Sequence, residues 1–252
     1  MKRYQAAAVA IGLLLVTPVR ADDTAIAWTK ATVYLPNSTE STTVDRIPTN
    51  RKFPVAIYMH GCSGLTGGEG GDNYRWAKLL AEQGMLVVMP DSLARSDRKP
   101  SCDPATHKGG LFPAVYGMRL AELKYAAEQI RAQPWFGGKL ILMGHSEGGM
   151  TAARTPLSGF AGIIISGWTC TNSQYKSFDG IFAPADTPVL AIKYSDDPWF
   201  PPSSVAYGHC EPKLAGRPNS SALLLPGRGH GTFDNETARM AVSKFVAERL
   251  AN

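Results

Sequence analysis

The stretch that most constrains the fold is residues 140–149, which read Leu-Ile-Leu-Met-Gly-His-Ser-Glu-Gly-Gly. Its apolar first half predicts a β-strand, and the residues after the double glycine predict the start of a helix. A strand that turns sharply into a helix crowds the backbone, so glycines two positions before and two positions after Ser146 meet a steric need. Such a turn exposes the Ser146 hydroxyl above the edge of a sheet. Ser146 is therefore a candidate nucleophile, and a solvated serine in a tight turn is the alternative.

Predicted strands and helices alternate along the rest of the chain. Short apolar runs predict strands, and amphipathic stretches that end near glycine or proline predict helices. The predicted strands are 27–35, 38–46 as its antiparallel partner, 54–60, 85–89, 162–166, 189–194 and 222–225, and the predicted helices are 74–83, 115–133 and 236–250. This alternation favours an α/β fold with a mostly parallel central sheet and helices on both faces.

Length and composition favour one domain behind a secretory signal peptide. The chain has 252 residues, 44% of them hydrophobic, which is enough for one sizeable core. Residues 1–21 combine a basic start, an apolar centre and small residues near a cleavage site, which is typical of a signal peptide. Their apolar part is too short for a comfortable membrane span, and a buried or disordered helix is the alternative. We expect residues 22–252 to form one secreted or periplasmic domain without stable membrane insertion.

Charge argues against a nucleic-acid partner. The formal net charge is +5, but three of the 26 basic residues lie in the predicted signal peptide. The remaining 23 basic and 21 acidic residues leave a formal charge of +2. No basic helix or arginine-rich patch with interleaved aromatic residues is present, so we expect no nucleic-acid binding.

Four cysteines follow the predicted signal peptide, and export makes their pairing an expectation. Three connectivities are open for Cys62, Cys102, Cys170 and Cys210. We favour Cys62 with Cys102 and Cys170 with Cys210, because each pair would link loops that follow successive predicted strands at one sheet edge. No Cys-x-x-Cys spacing occurs, so we expect neither a metal site nor thioredoxin chemistry.

A serine nucleophile needs a base, and the base needs a carboxylate to orient it. Two later predicted strands lead into such residues at the edge where open parallel sheets place their sites. We prefer Asp197 over its neighbour Asp196 as the acid, with Asp91 as a further alternative. Glycines surround His230, as in a loop that brings an imidazole to the serine, and it is the predicted base.

The other histidines are predicted to be structural or solvated. We expect His145 to pack beside the turn, and His107 and His209 to be solvated or near a disulfide. His60 is expected to hydrogen-bond carbonyl groups of its own loop rather than to act in catalysis.

The tetrahedral intermediate of acyl transfer needs backbone N–H groups that point at its negative oxygen. The amide of Glu147, just after the nucleophile, is one predicted donor to this oxyanion hole. The amide of Cys62 is the other, with that of Ser63 as the second choice. The Glu147 side chain is predicted either to be solvated or to contact substrate.

Two further groups of residues are left open. The polar stretch 91–113 is either a loop over the substrate or an excursion pinned by Cys102, and its basic residues, including Arg95 and Arg98, suggest an anionic group in the substrate. Aromatic residues after the predicted strands either line a pocket or pack on the core, namely Trp168, Trp199, Phe200 and Tyr207.

The order Ser146, Asp197, His230 resembles that of α/β-hydrolases, and more narrowly of the dienelactone hydrolase family, over roughly residues 30–250. The resemblance also rests on the His60-Gly61 turn, on Asp91-Ser92 and on Pro201 after the acid. It implies the α/β-hydrolase fold, the triad roles and hydrolytic activity. Members closest to dienelactone hydrolase proper have a cysteine where this chain has Ser146, which favours an ordinary serine esterase.

The sequence therefore predicts a secreted carboxylic ester hydrolase that acts on a small-molecule ester through an acyl-enzyme. We expect it to need no metal and no organic cofactor. Two alternatives stay open: a peptidase, because the Gly-His-Ser-Glu-Gly-Gly turn also resembles that of prolyl-oligopeptidase-like enzymes, and a non-catalytic binding protein on a hydrolase scaffold.

Overall fold

A computed structural model describes residues 21–66, 70–109 and 113–251 of the chain. The strands in these ranges are β1 (Thr32–Tyr34), β2 (Ser41–Thr42), β3 (Phe53–Met59), β4 (Leu86–Met89), β5 (Cys102–Asp103), β6 (Lys108–Gly109), β7 (Phe136–His145), β8 (Gly162–Ser166), β9 (Val189–Asp196) and β10 (Ser221–Arg228). The α-helices are α1 (Ala21–Thr29), α2 (Gly70–Glu82), α3 (Pro113–Arg131), α4 (Glu147–Arg154) and α5 (Glu236–Ala251). Of the predicted signal peptide, residues 1–20 lie outside the described residues.

Eight of these strands form one sheet in the order β10-β9-β8-β7-β3-β4-β1-β2. All neighbours from β10 to β4 pair in parallel, and β1 and β2 add an antiparallel edge. The predicted mostly parallel sheet is confirmed. The loops that follow β3, β7, β9 and β10 consequently meet at one edge of the sheet, the carboxyl edge.

Helices cover both faces of the sheet, because successive residues of each central strand point to opposite sides. In β3, Val55 and Ile57 pack in the apolar cluster that holds residues of α3 and α4, whereas Ala56 and Tyr58 pack in the cluster that holds residues of α2 and α5. Burial on both sides explains why these strands read as continuous apolar runs. No helix in the described ranges is long and apolar enough to cross a bilayer.

The structure corrects the predicted first strand. Residues 27–29 belong to the end of α1, and only Thr32–Tyr34 of the predicted segment 27–35 form a strand. Ala27 and Trp28 are buried, and Trp28 packs in the cluster with α3. Burial of this helix against the rest of the fold fixes the conformation of residues 27–29, and it outweighs the β-propensity of the residues that follow. The predicted partner strand 38–46 is likewise reduced to Ser41–Thr42.

Two disulfides hold the loops at the carboxyl edge. Cys62 is bonded to Cys102, with 5.7 Å between their Cα atoms, and Cys170 is bonded to Cys210, with 4.8 Å. Both predicted pairs are confirmed. Cys102 begins the β5–β6 hairpin, so the stretch after β4 is a structured excursion pinned to the loop after β3.

Backbone-to-backbone contacts hold the turn between β7 and α4 against the end of β3. A Cβ atom on Gly148 would lie 1.9 Å from the carbonyl oxygen of Met59, and one on Gly144 would lie 2.1 Å from the carbonyl oxygen of Gly148. No side chain fits at either position unless the backbone moves. The steric need predicted for glycines on both sides of Ser146 therefore has identified partners in the neighbouring backbone.

We predict that Gly148→Ala lowers the free energy of unfolding by at least about 3 kcal/mol, because the new methyl group has no space. Gly117→Ala is the matched control, since a Cβ there, in the middle of α3, meets nothing within 4 Å. It should raise the free energy of unfolding by about 0.5–1 kcal/mol. Urea unfolding of both variants is the measurement, and equal effects would contradict the packing described here.

Candidate active site

Ser146 lies at the apex of the turn between β7 and α4 in a rare backbone conformation. Its φ is 56° and its ψ is −115°, a combination that costs a non-glycine residue free energy. Hydrogen bonds fix the backbone on both sides: Ser146 N–H donates to the Ser166 carbonyl at 2.8 Å, and Met150 N–H donates to the Ser146 carbonyl at 2.8 Å. The strained serine is thus held by β8 and by the first turn of α4.

The predicted acid and base are hydrogen-bonded to each other. His230 Nδ1 lies 2.8 Å from Asp197 Oδ2, and both residues are buried. Asp197 Oδ1 accepts a hydrogen bond from Trp199 N–H at 3.0 Å, which fixes the carboxylate. Of the alternative acids, Asp196 forms an exposed ion pair with Arg228, and Asp91 accepts from the backbone of the next turn. The structure brings Asp197 to His230, and it brings neither Asp196 nor Asp91 there.

The second nitrogen of His230, Nε2, is not used in the bond to Asp197. Nε2 is buried and has no hydrogen-bond partner among the described residues. Ser146 and His230 together line a cavity of about 120 Å³. A buried imidazole nitrogen without a partner is costly unless a reacting group uses it, so this atom is a candidate for proton exchange.

His145 packs beside His230, as predicted, with 4.9 Å between the ring centroids. Its Nδ1 lies 3.1 Å from the Ser166 hydroxyl. Burial, reinforced by the charge that His230 can carry, lowers the pKa of His145 well below its ordinary value. His145 is therefore a neutral packing neighbour.

The loop after β3 lies directly against the serine. A Cβ on Gly61 would stand 3.4 Å from the Cβ of Ser146. The next residue, Cys62, lines a second and larger cavity together with Ser146 and Glu147. Ser63 lines only the smaller cavity. The two residues whose amides are the predicted oxyanion donors thus border the same space as the serine.

His60 has the structural role that the sequence predicts. Ser92 N–H donates to His60 Nε2 at 3.0 Å, so this nitrogen accepts and Nδ1 carries the proton toward the Gly61 carbonyl, 2.7 Å away. Burial, followed by the nearby charge of Arg119, lowers the pKa of His60 well below its ordinary value. The neutral ring fixes the start of the loop that carries Cys62.

The Glu147 side chain takes part in a buried ionic network. One carboxylate oxygen accepts from Arg98 Nη2 at 2.7 Å and lies 3.6 Å from Arg119 Nε, and the other accepts from the Ser101 hydroxyl. Glu147 is 8% exposed, so the first of its two predicted alternatives, a solvated side chain, is wrong. Charges buried this deeply require close partners, and here the partners are present.

The network continues behind the site through residues that the sequence interpretation missed. Arg119 pairs with Glu122 at 3.2 Å, and Glu122 pairs with Arg95 at 3.2 Å. All three side chains are fully buried. Their signal was present, because Arg119 and Glu122 are three residues apart on the buried face of α3 that also carries Leu123 and Ala126.

One short segment, residues 98–102, connects to both predicted oxyanion donors; we call it the brace. At one end Arg98 holds the Glu147 carboxylate. At the other end Ser101 N–H donates to the Cys62 carbonyl at 3.2 Å, and Cys102 is bonded to Cys62. The distance between the Cys62 and Glu147 amides is therefore set by an ion pair and a disulfide that both belong to the brace.

Internal pairing occupies two of the basic residues that suggested an anionic substrate. Arg95 binds Asp97 and Glu122, and Arg98 binds Glu147. Both guanidinium groups are buried and turned away from solvent. The anionic-substrate hypothesis consequently loses these two arginines, whereas Lys99 and His107 in the same stretch are exposed.

Aromatic residues form much of the wall of the larger cavity, which has a volume of about 440 Å³. Trp168, Trp199 and Phe200 line it, whereas Tyr207 is half exposed and lies outside its lining. In the described ranges no group of three or more histidine, cysteine or carboxylate side chains is placed to hold a metal ion.

Solved structures match most of the chain in fold. Est1E from Butyrivibrio proteoclasticus matches at 14% identity and a TM-score of 0.56, covering 88% of this chain and 94% of its own. A phospholipase/carboxylesterase from Dyadobacter fermentans matches at 18% identity and a TM-score of 0.57, covering 86% and 95%. A Klebsiella pneumoniae protein assigned as a dienelactone hydrolase matches at 14% and 0.52, covering 81% and 89%. No profile of a known protein family and no curated protein sequence matches the chain.

The sheet order, the covered faces and these likenesses define the α/β-hydrolase fold, and the predicted fold class is confirmed. At 14–18% identity the likeness carries the fold and not the chemistry. The nucleophile, the base and the substrate have to be argued from this chain's own residues.

We predict that Arg98→Met lowers the free energy of unfolding by about 3 kcal/mol, because it leaves the buried Glu147 carboxylate with the Ser101 hydroxyl and a longer ion pair to Arg119. Arg228→Met is the matched control, since it removes the exposed pair with Asp196 and should change stability by less than about 1 kcal/mol. Chemical denaturation compares the two variants. A loss of unfolding free energy for Arg98→Met no larger than that of the control would show that the ion pair of the brace does not stabilise the fold.

Proposed function

We propose that this protein is a serine ester hydrolase with Ser146 as nucleophile, His230 as base and Asp197 as the group that orients the base. One observation carries the proposal. His230 Nδ1 is bonded to Asp197, His230 Nε2 is buried without a partner, and His230 and Ser146 line the same cavity. This is the arrangement that activates a serine hydroxyl.

In the first half of the reaction, His230 Nε2 accepts the hydroxyl proton as Ser146 Oγ attacks the ester carbonyl carbon. Asp197 stabilises the imidazolium ion that forms and keeps Nδ1 protonated. Collapse of the tetrahedral intermediate breaks the bond to the alcohol oxygen, which takes the proton from Nε2. Ser146 is then acylated.

In the second half, a water molecule repeats the sequence. Nε2 takes a proton from water as the oxygen attacks the acyl carbon, and returns it to Ser146 Oγ when the carboxylic acid leaves. The enzyme ends with the same protons that it held at the start, so the cycle uses no cofactor.

The negative oxygen of each intermediate is assigned to the backbone amides of Cys62 and Glu147. Both residues border the cavity at Ser146, and Glu147 is the first residue of α4, where the helix dipole favours negative charge. A donor of this kind lowers the barrier by about 3 kcal/mol. The brace and the neutral His60 would hold the two amides at their spacing.

We also propose that the protein is exported after removal of residues 1–21 and acts as a single domain of residues 22–252. The basic and apolar pattern of the first 21 residues supports export, and so do two disulfides, which persist in oxidising compartments.

We predict that the exported protein hydrolyses p-nitrophenyl esters and that Ser146→Ala reduces kcat to the background rate. Asp197→Asn should lower kcat by about 10³–10⁴-fold, because the imidazole then adopts the wrong tautomer. Asp196→Asn is the matched control next to it and should stay within about twofold of the parent. Release of p-nitrophenolate measures all four proteins.

The same assay separates the alternatives. A peptidase would cleave a p-nitroanilide of the same acyl group at a rate comparable with the ester, which the proposal does not expect. Ester turnover that survives Ser146→Ala would rule out Ser146 as nucleophile, and equal losses for Asp196→Asn and Asp197→Asn would rule out the assigned acid.

A further inference from the structure

Two cavities of unequal size meet at Ser146. The larger, about 440 Å³, is bordered by Ser146, Cys62 and Glu147, and the smaller, about 120 Å³, is bordered by Ser146 and His230. His107 and Trp199 line both, so they stand at the division between them. An ester bound at Ser146 has an acyl part and an alcohol part. The two cavities next to Ser146 differ nearly fourfold in volume.

The position of His230 assigns the smaller cavity to the alcohol part. His230 Nε2 gives its proton to the departing alcohol oxygen, so that oxygen must leave on the side of the imidazole. The cavity on that side, about 120 Å³, is smaller than a cavity of roughly 150 Å³ that binds benzene, so a small alkoxy group fits it better than one that carries a ring. It accommodates a methyl or ethyl group.

The larger cavity is then left for the acyl part, and its walls are aromatic. Trp168 and Phe200 meet edge to face with 5.4 Å between ring centroids, and Trp199 lies 5.4 Å from His230. An aromatic ring among such walls gains from ring-to-ring contacts as well as from its burial. A volume near 440 Å³ also lies in the usual range for binding small organic molecules.

The aromatic wall of the cavity is preformed, because covalent and backbone bonds hold the two loops that carry Trp168 and Phe200. The loop after β8 carries Trp168, and the loop after β9 carries Phe200. The Cys170–Cys210 disulfide ties the two loops together, and Ser173 N–H donates to the Val205 carbonyl at 2.8 Å. A rigid, preformed pocket selects by shape more sharply than a mobile one.

The charge around the larger cavity disfavours an anionic acyl group. No lysine or arginine is among the described residues that line it, and Glu147, whose carboxylate is already paired, is the acidic residue there. A carboxylate on the substrate would lose its hydration without gaining a counter-charge.

The inference from these observations rests on the proposed hydrolase function and extends it. We propose that the substrate is an uncharged ester of a bulky arylalkanoic acid and a small primary alcohol, with the aryl group in the cavity between Trp168, Trp199 and Phe200. The acyl part, not the alcohol part, then sets specificity.

A pair of isomeric esters tests the assignment directly. Methyl 3-phenylpropanoate and 2-phenylethyl acetate have the same atoms and differ in which side of the ester carries the ring. We expect kcat/KM for methyl 3-phenylpropanoate to be at least tenfold higher, measured by titration of the released acid. A ratio of one or below overturns the proposal.

A carboxylated substrate tests the charge argument. Methyl 3-(4-carboxyphenyl)propanoate should be hydrolysed at least tenfold less efficiently than methyl 3-phenylpropanoate, with the carboxylate ionised at neutral pH. Equal efficiency overturns the requirement for an uncharged acyl group.

A variant in the wall locates the ring. Val205 lines the larger cavity and is 44% exposed, so Val205→Trp can fill part of the space without strain in the core. It should lower kcat/KM for methyl 3-phenylpropanoate at least fivefold more than for methyl acetate. Tyr207→Trp, in the same loop but outside the lining, is the control and should leave that ratio unchanged. A shift equal to that of the control places the ring elsewhere.

The failure of this inference is distinguishable from failure of the hydrolase itself. Ester turnover that depends on Ser146, combined with no preference between the isomers, overturns the acyl pocket alone. If no ester is hydrolysed above the Ser146→Ala background, the hydrolase proposal falls and the acyl pocket falls with it.

Discussion

The site depends on the close approach of two backbones, the turn after β7 and the end of β3. Gly144 and Gly148 permit this approach, because any Cβ at either position would overlap a carbonyl group. The contact brings Ser146 next to Gly61 and so brings two loops from neighbouring parallel strands to one point. The remaining features are built around that crossing: an ion pair and a disulfide on one side, and a buried histidine–aspartate bond on the other.

The charged side chains near the serine are paired within the protein, so they present no free charge to a substrate. Arg95, Arg98 and Arg119 are all paired with internal carboxylates or carbonyl groups, and burial keeps His60 and His145 neutral by lowering the pKa of each. The buried ion pairs organise the backbone, and the open space is left to aromatic side chains. In the proposed mechanism, His230 is therefore the group that moves protons.

Much of the arrangement could be predicted from the sequence, because it follows from local patterns. Apolar runs located the central strands, and the chain order placed Ser146, Asp197 and His230 after strands of one parallel sheet. What failed depends on contacts between distant segments: α1 is helical because Trp28 is buried against another helix, and Glu147 is buried because a loop 49 residues away supplies Arg98. The two cavities could not be predicted either, since their walls are side chains from several loops, four of which the disulfides tie together in pairs.

The most direct test of the account is covalent labelling of Ser146. A p-nitrophenyl alkylphosphonate loses p-nitrophenolate when an activated serine oxygen attacks phosphorus, and the product resembles the tetrahedral intermediate. We expect release of about one p-nitrophenolate per chain. Peptide mass spectrometry should find the added mass on Ser146. An adduct on another residue, or no adduct on a folded protein with both disulfides intact, would contradict it.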